Sequence, residues 1–142
     1  MLRLTNLRVL AAVILTGALV ACDDTTPTGP TTPGRDPVTV TFSGTLARNG
    51  AAAHEFTPAA GGTVTATLTA LGGGEEQTIG LALGNWFSGA CSLVFANDDA
   101  KIGAVLTGTL NQSGPLCVRI SDVGDRIASG VTLEYTIQVV HP

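Results

Sequence analysis

From Val38 onward, apolar and polar residues alternate with a period of two, the spacing of a strand with one buried face and one wet face. Val38, Val40 and Phe42 alternate with Thr39, Thr41 and Ser43; Val64, Ala66, Leu68 and Ala70 alternate with Thr63, Thr65, Thr67 and Thr69. Shorter versions of the pattern predict strands over 53–57 (carrying Phe56), around Ile79, Leu81 and Leu83, and over 91–95, 102–110, 116–121 and 131–139. Turn formers separate them: Gly61-Gly62, Gly72-Gly73-Gly74, Asn97-Asp98-Asp99 and Asn111 to Pro115, while Asn85 to Gly89 reads as a loop or strand end. No helical period appears in this region. About eight strands at spacings near 10 to 12 residues predict an all-β domain over 38–142: an antiparallel, jelly-roll-like β-sandwich with apolar faces inside and threonine faces in water.

The pattern changes before Val38. Arg3 and Arg8 precede an apolar run from Val9 to Val20, broken only by Thr16 and Gly17. At roughly 12 residues it falls short of the roughly 20 that a membrane-spanning helix needs, and it fits the core of a secretory signal. Leu19-Val20-Ala21-Cys22 follows directly and resembles a bacterial lipobox. The resemblance implies a signal peptide over 1–21, cleavage between Ala21 and Cys22, and a diacylglycerol on the Cys22 thiol, with a second acyl signal needed for stable anchoring. The expected location is the bacterial cell envelope, with the domain in the periplasm or at the cell surface. Residues 23–37, DDTTPTGPTTPGRDP, carry four prolines and too little apolar surface to pack, which predicts a disordered linker.

Loss of 1–21 leaves five basic residues against eleven acidic ones, a mature net charge of about −6. Scattered basic residues on an acidic chain argue against nucleic acid as a partner. Export also bears on the cysteines. With Cys22 acylated, Cys91 and Cys117 remain as a pair in a compartment where disulfides persist, and a bond between them is expected. Strict alternation places Cys91 with Leu93 and Phe95 but Cys117 opposite Leu116 and Val118, so the bond requires a bulge or a cysteine just outside its strand.

Gly61-Gly62-Thr63-Val64 with Leu68, the stretch from Leu106 to Ile120, and Tyr135-Thr136-Ile137-Gln138-Val139 resemble strand motifs of bacterial pre-peptidase C-terminal domains. The resemblance spans 39–140 and implies a secreted accessory sandwich with no catalytic residues to transfer. It departs at Leu116 and Cys117, where that family usually has an aromatic, and no peptidase precedes the domain.

Chemistry is sparse. His54 and His141 are the chain's two histidines, and no G-x-S-x-G elbow accompanies them, so a hydrolase is the weakest class considered. Two distant histidines and two cysteines do not make a zinc site. Asp98 and Asp99, with Asp122 and Asp125, are candidate calcium ligands in turns, against the simpler role of Asx residues as turn formers. No other cofactor is expected. Trp86 and Phe87 are the one adjacent aromatic pair and a candidate contact for a protein or glycan partner; their alternative role is to plug one end of the sandwich. The expected function is a non-catalytic envelope lipoprotein presenting a binding or accessory sandwich. The alternative is a purely structural domain.

Overall fold

The computed structural model describes residues 36–59 and 61–142; the expected signal peptide, the lipobox-like stretch and most of the expected linker lie outside them. Eight strands follow in order: β1 (Val38–Ala47), β2 (Ala51–Phe56), β3 (Gly62–Leu71), β4 (Ile79–Phe87), β5 (Ala90–Ala100), β6 (Val105–Leu110), β7 (Leu116–Ser121) and β8 (Thr132–His141). They form two four-stranded antiparallel sheets, β1-β8-β3-β6 and β2-β7-β4-β5. This strand order is that of a jelly roll.

The alternation does what the sequence predicts. Val64, Ala66 and Leu68 of β3 and Leu133, Tyr135, Ile137 and Val139 of β8 face Leu81, Leu83, Val118 and Ile120 across the core. The intervening threonines lie on the outer face. Strand β4 departs from simple alternation because it is central in its sheet: Ala82 on its outer side is also covered, so the strand reads as nearly continuous apolar and small residues.

Two expectations are corrected and a third is resolved. Asn97-Asp98-Asp99 is not a turn; β5 continues to Ala100, and the turn falls at Lys101–Ala104, with Gly103 in the left-handed region. Strand β6 consequently starts at Val105 rather than 102. Asn85 to Phe87 belong to β4, and Ser88-Gly89, both at positive φ, make a tight two-residue hairpin to β5. The polar run 97–99 misleads because it sits in a bulge: Ile79 pairs with Ala100 and Leu81 with Asn97, leaving Asp98 and Asp99 opposite Gly80 alone.

Both ends of the sandwich can be read from the register. At one end lie the start of β1, paired with His141, the Gly62–Leu110 pair, the β4–β5 hairpin and the β6–β7 loop. Phe56, stacked on His141, and the Ala59 N–H, donated to the Pro142 carbonyl, tie the two sheets together there. The β1–β2, β3–β4, β5–β6 and β7–β8 connections lie at the other end.

Candidate binding surfaces

Cys91 and Cys117 are joined, with Cα atoms 5.8 Å apart. That separation is unexpected from the strand order, because β4 lies between β5 and β7, and strands two apart in a flat sheet stand roughly 9–10 Å apart. A second bulge closes the gap. Leu83 pairs with Phe95 and Gly84 with Leu93, so Val94 is the extra residue and β5 bends over β4. Gly84 permits the bend: a Cβ there would collide with the Ser92 carbonyl. Of the two arrangements that the alternation allowed, a bulge or a cysteine just outside its strand, the bulge is present, and the glycine beneath it is the part that sequence reasoning missed.

The same bend exposes β5. It is an edge strand, and Leu93, Val94 (57% exposed) and Phe95 (49% exposed) stand open on both of its faces. The Phe95 ring lies beside Gly108 of β6, the edge strand of the opposite sheet, where Val105 is also exposed. Between the two edges an apolar recess of about 150 Å³ is lined by Val64, Leu83, Val94, Phe95, Leu110 and Leu116. One sequence signal pointed here: Leu93-Val94-Phe95 is an unbroken apolar run, inconsistent with a strand that buries one face and wets the other.

Trp86 and Phe87 lie at the end of β4. Phe87 is 76% exposed, whereas Trp86 is partly buried. The Trp86 N–H donates to the Pro115 carbonyl (3.1 Å), which fixes the hairpin against the β6–β7 loop, and a shallow open depression runs between them.

The candidate calcium ligands are engaged elsewhere. Asp122 is buried and accepts the backbone N–H groups of Asn49 (3.0 Å), Arg126 (2.9 Å) and Ile127 (3.3 Å), so it organises a turn. Asp125 pairs with Arg48 at 3.2 Å and Asp99 with Arg126 at 2.6 Å. The Arg126 guanidinium also donates to the Asp98 carbonyl and to Thr78 Oγ1, tying the β7–β8 loop to the β5 bulge. Among the described residues, no three acidic, histidine or cysteine side chains gather as a metal site would require.

The histidines serve packing. His54 stacks on Phe42 (4.8 Å between centroids), and its Nε2 is 2.9 Å from the Tyr135 hydroxyl. Burial lowers the His54 pKa and raises that of Tyr135. The ring of His141 stacks on Phe56, and its Nδ1 lies 3.0 Å from the Pro142 carbonyl. Neither histidine is held by a carboxylate beside a nucleophile, the arrangement that acyl-transfer chemistry needs.

No family model and no curated protein matches the chain. Among solved structures, it is similar to PliG of Aeromonas hydrophila, a periplasmic inhibitor of g-type lysozyme, with a TM-score of 0.53 and 15% identity over 72% of this chain and 86% of that one. At that identity the likeness is one of fold.

Proposed function

We propose that the chain is a lipid-anchored, non-catalytic module of the bacterial cell envelope that holds a protein partner along its open β5/β6 edge. The observation that carries this is the apolar edge itself. Leu93, Val94 and Phe95 are exposed along β5, and Val105 is exposed on the neighbouring edge strand β6, whereas the outer face of the β1-β8-β3-β6 sheet is otherwise rich in threonine. Contiguous exposed apolar surface marks interaction sites, and an unpaired strand edge adds backbone donors and acceptors for an extended segment of a partner. An apolar edge has little to offer a glycan's hydroxyls, which favours protein. The fold shared with a periplasmic inhibitor of a lysozyme is compatible with a module that works by binding. Strand motifs like those of pre-peptidase C-terminal domains point the same way.

A photo-crosslinking side chain at Val94 in intact cells is expected to give one discrete protein adduct, with none from the same group at Thr41 on the outer face of β1. Absent or equal adducts favour the purely structural alternative. Because the structural neighbour is named for inhibiting g-type lysozyme, that enzyme is the first partner to assay, with Val94→Asp expected to abolish any inhibition. The anchor has its own test. Cys22→Ser should leave the signal peptide uncut by the lipoprotein peptidase and release the protein from the membrane fraction, whereas a smaller mature form still found with membranes would defeat the lipobox reading.

A further inference from the structure

The two ends of the sandwich differ in chemistry. One end carries Arg48 paired with Asp125, Lys101 with Glu76, and Arg126 with Asp99. At the other end, the β4–β5 hairpin from Asn85 to Ala90 and the β6–β7 loop from Asn111 to Pro115 contain no charged residue. Phe87 stands clear of the body there, with Trp86 beside it. The tip is held rigid by the Ser88-Gly89 turn and by the Trp86–Pro115 backbone hydrogen bond. This end, with its uncharged, aromatic hairpin, is also where the chain enters the domain, at Val38 paired with His141.

We infer that the hairpin tip bearing Trp86 and Phe87 docks on the phospholipid surface to which the chain is anchored. The inference rests on the anchor proposed above. Thirteen residues separate Cys22 from Asp36. Even fully extended they reach no more than roughly 45 Å, so a lipid on Cys22 keeps this end of the sandwich near the bilayer. Tethering of that length makes docking effectively intramolecular at roughly millimolar concentration, where a weak contact suffices. Tryptophan and phenylalanine suit the boundary between headgroups and acyl chains, tryptophan because its indole has an apolar body and one polar N–H. A tip without formal charge enters that boundary with no ionic group to desolvate. Among the described residues, the charged side chains on the segments that reach this end, Asp36 ahead of β1 and Glu55 near the end of β2, are acidic, so the attachment is apolar and does not depend on salt bridges to lipid phosphates. Docking this way stands the sandwich on its aromatic end. The ion-paired end then faces away from the membrane, and the β5/β6 edge is left free at the side.

Trp86 is the only tryptophan in the chain, so its fluorescence reports the tip directly. The native lipoprotein, reconstituted into phosphatidylethanolamine/phosphatidylglycerol vesicles, should show Trp86 emission shifted to shorter wavelength and quenched by lipids brominated near the headgroup. Quenching by aqueous iodide should fall several-fold, and the pattern should survive high salt. Phe87→Ser should lose much of the shift while still co-sedimenting with the vesicles and still giving the Val94 adduct. Emission unchanged by vesicles, with the protein bound to them, overturns the inference. So does a shift that appears without lipid and rises with protein concentration, which assigns the tip to a second copy, or one produced by soluble glycan alone. A second preparation separates this inference from the anchor. The unlipidated mature chain is coupled through Cys22, its one free thiol when Cys91 and Cys117 are bonded, to a maleimide lipid in the same vesicles. If the native protein fails to co-sediment but the coupled chain shows the shift, only the anchor reading fails; a coupled chain with unshifted emission overturns the tip.

Discussion

The two sides of the sandwich solve the same problem in opposite ways. Each has a pair of edge strands, one from each sheet, with a seam between them. On the β1/β2 side the seam is filled. Phe42 of β1 stacks on His54 of β2, the His54 ring reaches the Tyr135 hydroxyl of β8, and Phe56 packs between Phe42 and His141. On the β5/β6 side Phe95 lies beside Gly108, which offers it no side chain, an open recess remains, and Leu93, Val94 and Val105 stay about half-exposed. In a chain with six aromatic residues, three of the six — Phe42, Phe56 and Tyr135, with His54 added — are spent on the closed side, and β5 is left apolar but unfilled. Closure of one side holds the sheets together, which allows the other to stay open. The open side still limits uncontrolled pairing through two bulges and through Asp98 and Asp99, as edge strands commonly do.

If the closed side holds the sheets, truncation there should cost far more than truncation opposite. Phe56, only 6% exposed, should lose about 3–5 kcal/mol of stability on change to alanine, the usual range for a buried phenylalanine. Phe95→Ala, on a half-exposed ring, should cost about 1 kcal/mol or less. Denaturant titration of both variants checks the ratio; equal losses would mean that the β5/β6 seam is as structural as its counterpart. The next largest effect belongs to the disulfide. It spans a sequence separation of 26, and removing it by Cys91→Ala with Cys117→Ala should cost about 3 kcal/mol in the chain-entropy picture. The loss should fall on the open side, with backbone amides of β5 exchanging faster with solvent while those of β1 and β2 change little. Two free thiols titrated in the unfolded, unreduced wild-type domain would remove the bond altogether.

The closed side was only partly legible in the sequence, and the open side less so. The alternation over Val38–Phe42, Val64–Leu68 and Leu133–Val139 gave the strands and their core faces because period-two burial is a local property. The Cys91–Cys117 pairing followed from compartment and count, and the need for a bulge or a cysteine just outside its strand followed from the cysteines' conflicting phases. What alternation does not encode is which strand lies at an edge. His54 reads as an ordinary surface residue until β1 and β2 are brought together across the seam, and Asp98-Asp99 reads as a turn until the bulge is seen. Gly84 looks like any strand glycine; its importance depends on Ser92, eight residues away on a neighbouring strand. Asp122 and Arg126 illustrate the same limit, since the acidic residues offered as calcium ligands are engaged by backbone amides (Asp122) and by two arginines from other loops (Arg48 on Asp125, Arg126 on Asp99).

The smallest expected effect probes the seam through pH. Burial against Phe42 and Tyr135 disfavours the imidazolium form of His54 and holds its pKa in the folded state below the ordinary value of 6.5. As the pH falls, the unfolded chain therefore takes up this proton before the folded one does. The contribution of His54 to stability is fully present above about pH 6.5 and is lost as the pH falls from there through the folded-state pKa. The Glu76 carboxyl, held below its usual range by its hydrogen bond and charge contact with Lys101, titrates beneath this window and does not mask it. Between about pH 7.5 and pH 5.5 the wild-type melting temperature should thus decline modestly, with the loss developing below the ordinary histidine pKa. In His54→Gln that decline should flatten, although the variant is less stable throughout because the ring stack and the Tyr135 contact are gone. Phe95→Ala should leave the pH profile unchanged, since no titrating side chain lines the recess beside Phe95. A decline of the same size in His54→Gln as in the wild type would place the pH-sensitive group elsewhere and would mean that the β1/β2 seam opens readily enough to solvate its histidine.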